Sequence, residues 1–205
     1  MKEPLFIEVI KVVKGEFVNP QPHIERIVNT TKHFFGKPLC AVLTKDIIPI
    51  HLQDCEVVKC RIVYCSDIVR IDFEPYAMQT IKNLALIEHN TIDYAFKYHN
   101  RSLINQLKSS ANEADDILII KNSKVTDTSF SNVVFKDYKG KLYTPKSTLL
   151  AGTKRKQLLK KGIIQEKEIY ATDIKSYKGL YLINAMIDIE DNLFVNSDNI
   201  CMGNG

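Results

Sequence analysis

Three stretches of the chain carry residue types that could do chemistry together. Lys97 lies between Phe96 and Tyr98, with Tyr94 close by, and a lysine partly desolvated by such neighbours is neutral often enough to attack an aldehyde. Asp127 stands in Thr126-Asp127-Thr128-Ser129, and a carboxylate aimed at a pyridine nitrogen keeps that ring protonated and makes it an electron sink. Gly152-Thr153-Lys154-Arg155 offers a glycine that lets backbone come close, amide hydrogens at a helix start, and cationic side chains. Those are the ingredients of a phosphate site.

Each stretch also has a plainer reading. A lysine flanked by aromatics more often snorkels at the surface, and an aspartate in a polar turn commonly bonds its own backbone two residues on. The glycine stretch lacks the full P-loop spacing, so nucleoside triphosphate binding is not supported. Arg26 shares a helix face with His23 and, taken alone, is a solvated arginine. The five histidines have no metal-ligand spacing, and no nucleophile elbow is present.

The elements that must position these residues follow from periodicity. Residues 5–13 form a β-branched run interrupted by Glu8, an acid that asks for a partner. Lys14-Gly15-Glu16 turns this run back onto Phe17-Val18. Pro22 introduces a helix whose stripe of Ile24, Ile27, Val28, Thr31, Phe34 and Phe35 closes at Gly36. Residues 56–64 and 68–73 alternate as adjacent strands, and residues 84–87 read as a strand running into a linker. Helical spacing at Leu103, Ile104, Leu107 and Ala111 puts Lys97 in the first turn or just before it, and strands are expected at 115–120, 132–136 and 141–144. Asp127 is expected in a turn between strands. Thr153 is expected to cap a helix that Gly162 ends, with strand-like runs at 163–170 and 180–189 after it.

With 205 residues, 45% of them hydrophobic, the chain can bury a substantial core in one domain or two small ones. A formal net charge of +4 favours an anionic ligand without requiring nucleic acid. The basic run from Lys154 to Lys161 has no interleaved aromatics, which argues against nucleic-acid binding. Five cysteines without a C-x-x-C pair read as reduced, half-buried core thiols. No stretch has membrane-spanning length and the start, Met1-Lys2-Glu3-Pro4, has no signal-like character. The expectation is a soluble cytoplasmic protein.

An amine, an acid and a phosphate cradle are the three groups needed to hold pyridoxal phosphate, and their order in this chain resembles the class IV (fold type IV) family of enzymes that use it. That family includes branched-chain and D-amino-acid aminotransferases and aminodeoxychorismate lyases. Phe6 to Val12 is similar to the family's glutamate-bearing strand, and His23-Ile24-Glu25-Arg26-Ile27 to its H-x-x-R-L helix. Lys97-Tyr98-His99-Asn100-Arg101 resembles the lyases' K-x-x-N-R, and Val125 to Asn132 resembles V-T-E-G-S-x-S-N. Tyr143-Thr144-Pro145 and Gly152-Thr153-Lys154-Arg155 resemble Y-T-P and G-I-T-R, and Asn184-Ala185-Met186 the lyases' late N-A-L/M stretch.

The resemblance implies an α+β to α/β, two-domain fold type IV chain like D-amino-acid aminotransferase, shortened at its N-terminus. A small domain would span 1–86, a linker 87–94 and a larger β-rich domain 95–205, with the cofactor between the domains. Lys97 would link covalently to pyridoxal phosphate, Asp127 would face the ring nitrogen, and Arg26, Gly152, Thr153 and Lys154 would hold the phosphate; no metal is implied. The implied reaction is lysis of 4-amino-4-deoxychorismate to 4-aminobenzoate and pyruvate, a folate-pathway step, in a homodimer. The alternatives are an aminotransferase of branched-chain or D-amino acids and a non-catalytic protein that keeps the fold. Asp127 is one methylene shorter than the family's glutamate, and Lys154 replaces its threonine.

Overall fold

The computed structural model describes residues 3–111 and 114–202. The chain forms two compact units. One contains residues up to Met78 together with Phe96–Asn100; the other contains Gln79–Ala95 and the residues from Arg101 onward.

The first unit is built on β1 (Phe6–Val13), which turns at Lys14-Gly15 into β2 (Glu16–Phe17). Lys14 and Gly15 both have positive φ, 49° and 74°, the geometry that matches a tight hairpin to strand twist. After α1 (Gln21–Phe35), strands β3 (Val58–Tyr64) and β4 (Ile68–Pro75) complete an antiparallel sheet in the order β2-β1-β3-β4. The period of two along β1 puts Phe6, Glu8, Ile10 and Val12 in one row, all fully buried. An acid therefore sits in a core row. Helix α1 buries His23, Ile27, Thr30 and Thr31, and Gly36 ends it at φ 72° with its N–H on the Lys32 carbonyl.

Residues 96–100 return to this unit because their backbone pairs with β1. Ile7 N–H donates to the Lys97 carbonyl at 2.9 Å and His99 N–H to the Leu5 carbonyl at 2.8 Å. The Phe96 and Tyr98 rings pack edge-on or tilted around Phe6 and Phe34 in the same core. Of the two positions its spacing from Leu103 allowed, Lys97 takes the one ahead of the helix (Ser102–Ser110), not one in its first turn. It is the middle residue of a tight turn in which Tyr98 N–H donates to the Phe96 carbonyl at 2.9 Å. Those rings anchor its position.

The second unit contains β5 (Leu84–Glu88), α2 (Ser102–Ser110), β6 (Asp116–Lys121), β7 (Lys124–Thr128), β8 (Asn132–Lys136) and β9 (Leu142–Pro145). Then follow α3 (Thr153–Lys160), β10 (Gln165–Lys167), β11 (Gly179–Ile183), β12 (Phe194–Asn196) and β13 (Ile200–Met202). They form two sheets, β13-β5-β6-β7 and β10-β9-β8-β11-β12. Residues 79–95, which take in the expected linker, belong to this unit through β5, which is parallel to both β6 and β13. The strand-like runs expected at 163–170 and 180–189 are shorter, the second stopping where Asn184 turns the chain back on Ile187.

All five cysteines are free; Cys60 is buried and Cys55 and Cys65 are half-buried, while Cys40 and Cys201 are exposed and depart from the expectation of core thiols. Burial pushes the Cys60 thiol up to about 12, with Asp72 adding to the effect. Among the described residues, no helix is long and apolar enough to cross a membrane.

Candidate active site

In the first unit the buried acid of β1 finds its partners on α1. Arg26 donates from Nε to Glu8 Oε1 at 2.5 Å and from Nη2 to Oε2 at 2.7 Å, and His23 Nδ1 meets Oε2 at 2.8 Å. His23 and Arg26 are three residues apart on α1 and so can reach one carboxylate together. Burial by itself would raise Glu8, but the Arg26 charge and hydrogen bonds, helped by His23, overcome it and hold the carboxyl at about 2. Arg26, expected at a phosphate, is thereby fixed by a bidentate fork, the geometry guanidinium groups make best. Glu8 and His23 were not committed to by sequence reasoning as partners of this helix face, although an acid inside an apolar strand was the signal.

In the second unit Asp127 is not in a turn. It is the fourth residue of β7 and is 6% exposed; the β-branched run Val125-Thr126 with Thr128 outweighs the turn preference of aspartate. Its Oδ2 accepts the amides of Leu149 at 3.0 Å and Leu150 at 2.9 Å, and its Oδ1 accepts from Asn132 Nδ2 at 2.8 Å. Burial raises its pKa, and the amide donors and Arg155 pull it back only in part, leaving it at about 6.

Asn132 ties these parts together. Its Nδ2 also donates to the Leu150 carbonyl at 2.9 Å, and a Cβ added at Gly152 would lie 1.9 Å from its Oδ1. No side chain fits at Gly152. The turn from β7 to β8 is fixed as well: Thr128 Oγ1 accepts the amides of Phe130 and Ser131, Arg101 Nη2 donates to the Ser129 carbonyl, and Asn184 Nδ2 reaches the Phe130 carbonyl at 3.4 Å.

Gly152 occupies the cap position of α3 and Thr153 is its first helical residue, so Thr153 is not the cap. The first amides of a helix have no intrahelical acceptor and favour an anion. Lys154 Nζ holds the Asp188 carboxylate at 2.6 Å. Arg155 is buried against Thr144, the Pro145 carbonyl and Glu166, and braces the helix to β9.

The structure therefore joins Asp127 and Gly152 through Asn132, places Thr153 and Lys154 next to them, and sets Arg26 on Glu8 and Lys97 beside β1 in the other unit. Within the second unit, Asp127 and Gly152 fit a phosphorylated pyridine aldehyde on two observations. A carboxylate has about four acceptor sites and the three donors on Asp127 leave one on Oδ1, while Gly152 admits nothing larger where backbone amides begin α3.

The architecture is that of the fold type IV aminotransferases, and the chain is an enzyme. Residues 5–190 match the model of the family described as amino-transferase class IV, and the chain belongs to that family. An uncharacterized protein of Haemophilus influenzae is 35% identical over 186 residues, covering 89% of this chain and 97% of its own. Among solved structures, a "putative 4-amino-4-deoxychorismate lyase" from Haemophilus somnus is 30% identical with a TM-score of 0.79, over 91% of this chain and 98% of that one. A hypothetical aminotransferase from Mycobacterium tuberculosis, in a pyridoxal-phosphate-bound form, has a TM-score of 0.74 at 14% identity over 96% of this chain and 81% of its own, a likeness of fold alone.

Proposed function

We propose that the protein is a 4-amino-4-deoxychorismate lyase, which releases pyruvate and leaves 4-aminobenzoate, in the folate pathway. Its cofactor is pyridoxal phosphate. The observation that carries the reaction is the likeness to the Haemophilus somnus protein, which extends over nearly all of that chain. The Lys97-x-x-Asn100-Arg101 wording supports it.

When bound, the cofactor supplies an electron sink for the carbon that bears the substrate amine. Lys97 Nζ would hold the cofactor by its aldehyde and, once released by the substrate amine, would take the proton from the amine-bearing ring carbon and return one to the methylene carbon of the departing enolpyruvyl group, which leaves as pyruvate. The bond broken would be the ether C–O bond between the ring and that group; its electron pair leaves with the oxygen, and the pair freed from the ring C–H bond forms the double bond that makes the ring aromatic. Asp127 Oδ1 would pair with the ring nitrogen and keep a proton there. Arg26, the Gly152–Thr153 backbone, the Thr153 hydroxyl and Lys154 would hold the phosphate. Asp127 is one methylene shorter than the family's glutamate, so its strand would have to lie closer to the ring for Oδ1 to reach the nitrogen.

The experiment is an absorbance scan of the purified protein loaded with pyridoxal phosphate, followed by incubation with aminodeoxychorismate. The expected results are a visible-edge band that Lys97→Ala removes, and 4-aminobenzoate formed without any amino acceptor. Product that appears only when an α-keto acid is supplied would replace the lyase with the aminotransferase reading, which the family description favours. A band unchanged by Lys97→Ala would sink the role of that lysine. The same reading makes the enzyme a cytoplasmic homodimer, which sedimentation of the loaded protein tests.

A further inference from the structure

The segment that leads into α3 is laced to one strand end. Ser147 Oγ donates to the Val125 carbonyl at 2.9 Å, and the Leu149 and Leu150 amides converge on Asp127 Oδ2. The Leu150 carbonyl accepts from Asn132. Gly152 then abuts the Asn132 amide so closely that only glycine fits. Leu149 adds an apolar anchor, packed on the core that contains Ile92, Ile104 and Ile117.

Two consecutive amides on one oxygen form a small anion-binding concavity of the backbone, and the anion filling it is part of the protein. A glutamate at 127 would carry its carboxylate one methylene farther, past the distance at which one oxygen accepts both amides. The short acid suits a clamp. Asn132 is the piece that closes it: its Nδ2 bridges Asp127 Oδ1 and the Leu150 carbonyl, and its Oδ1 faces the Gly152 Cα. It comes into reach because β7 and β8 belong to different sheets, and the three-residue turn between them, pinned by Thr128 N–H on the Ser131 carbonyl at 2.9 Å, sets residues 127 and 132 side by side.

We propose that Asn132 is a positioning residue which, with Asp127, latches residues 149–152 into the shape that starts α3, so that the acid for the cofactor ring and the backbone for its phosphate are one mechanical part. This deepens the pyridoxal-phosphate reading and rests on it. Removing the latch then weakens the hold on the phosphate selectively, although Asn132 need not touch the cofactor.

The test uses apoprotein of the full chain, titrated in parallel with pyridoxal phosphate and with pyridoxal, which lacks the phosphate, and followed by absorbance. Asn132→Ala is expected to weaken pyridoxal phosphate binding about tenfold or more, equivalent to about 1.4 kcal/mol, while changing pyridoxal binding less than about twofold. Amide hydrogen exchange at Leu149–Gly152 in the apoprotein should quicken by a similar factor. Asn132→Asp, which keeps the volume but loses both Nδ2 donors, serves if the alanine variant does not fold, and should shift both readouts the same way. Equal loss of the two ligands with unchanged exchange at 149–152 would overturn the latch. Wild-type protein that binds neither ligand would overturn the cofactor reading, while the exchange result would still decide whether Asn132 holds the segment.

Discussion

Glu8 and Asp127 are both carboxylates sealed from solvent, yet one is held at about 2 and the other at about 6. Burial acts on both in the same direction, disfavouring the charged form. The difference lies in what faces them. Glu8 meets a guanidinium and an imidazole on α1, so its charge has a counter-charge within hydrogen-bond reach. Asp127 meets two backbone amides and a carboxamide, whose dipoles offset only part of the lost hydration. One fold thus keeps a permanently ionised acid in one unit and an acid that can hold a proton near neutrality in the other. The first suits fixing a cation, the second sharing a proton with a ring nitrogen.

The largest effect should come from neutralising Glu8. Glu8→Gln leaves Arg26 with an unbalanced charge beside a fully buried row, and breaking such a pair typically costs about 3–5 kcal/mol. The Arg26 side chain is 16% exposed and can recover some hydration, so the lower end, about 3 kcal/mol, is expected from urea unfolding. Asp127→Asn should cost about 1–2 kcal/mol, the scale of a disturbed neutral hydrogen-bond set. Equal losses at the two sites would break the contrast between charged and neutral partners.

The pH dependence sharpens the same comparison, because the two acids carry opposite signs. Glu8 has a folded pKa of about 2, below its ordinary value of 4.5. It therefore contributes stability that is complete above about 4.5 and lost as pH falls through 2. Asp127, raised from 3.8 to about 6, binds its proton more tightly when folded. Its contribution is greatest below about 4 and is lost as pH rises through 6. Unfolding free energies measured from pH 2 to 8 should show the gap between wild type and Glu8→Gln closing at the acid end. The gap between wild type and Asp127→Asn should narrow between pH 4 and 6. Parallel curves at both sites would show that neither acid has the environment seen here.

The units differ as well in how much of them could be read from sequence. In the first, β1, its hairpin, α1 and the β3–β4 pair follow from alternation and from a stripe closed by Gly36, since each buries one face against a single partner. The second unit hid β7, because its inward positions are Thr126, Asp127 and Thr128, polar residues that read as a turn until two sheets supply them with partners. Strands β12 and β13 were also missed; three-residue pairings carry too few alternations to register. Residue types and order singled out Lys97, Asp127 and Gly152 as candidates, but not the ties that join Asp127 to Gly152. Asn132 and Asp188 became visible only in three dimensions, since each partner is set by where a turn crosses from one element to another. The pairing of Glu8 with Arg26 was half legible: the acid asked for a cation, and the spacing of His23 and Arg26 offered one.

The smallest effect, and the finest test of the contrast, concerns Lys154, whose ammonium has two claims on it. Its side chain is 12% exposed and paired with Asp188, which is 32% exposed; a pair so close to solvent contributes about 1 kcal/mol or less. Lys154→Met should therefore lower unfolding free energy by that amount. If the ammonium also serves the phosphate, the variant should weaken pyridoxal phosphate binding about fivefold, equivalent to about 1 kcal/mol, without altering pyridoxal binding. Asp188→Asn separates the two roles, because it removes the competing anion and leaves the ammonium in place. It should lower stability about as much as Lys154→Met while holding or tightening pyridoxal phosphate. Loss of stability in both variants with unchanged affinity would make Lys154 a structural ion pair, and would leave the phosphate to Arg26 and the start of α3. The counter-charge seen at Glu8 would then be repeated on a smaller scale at Asp188, each carboxylate engaging a cation expected at the cofactor.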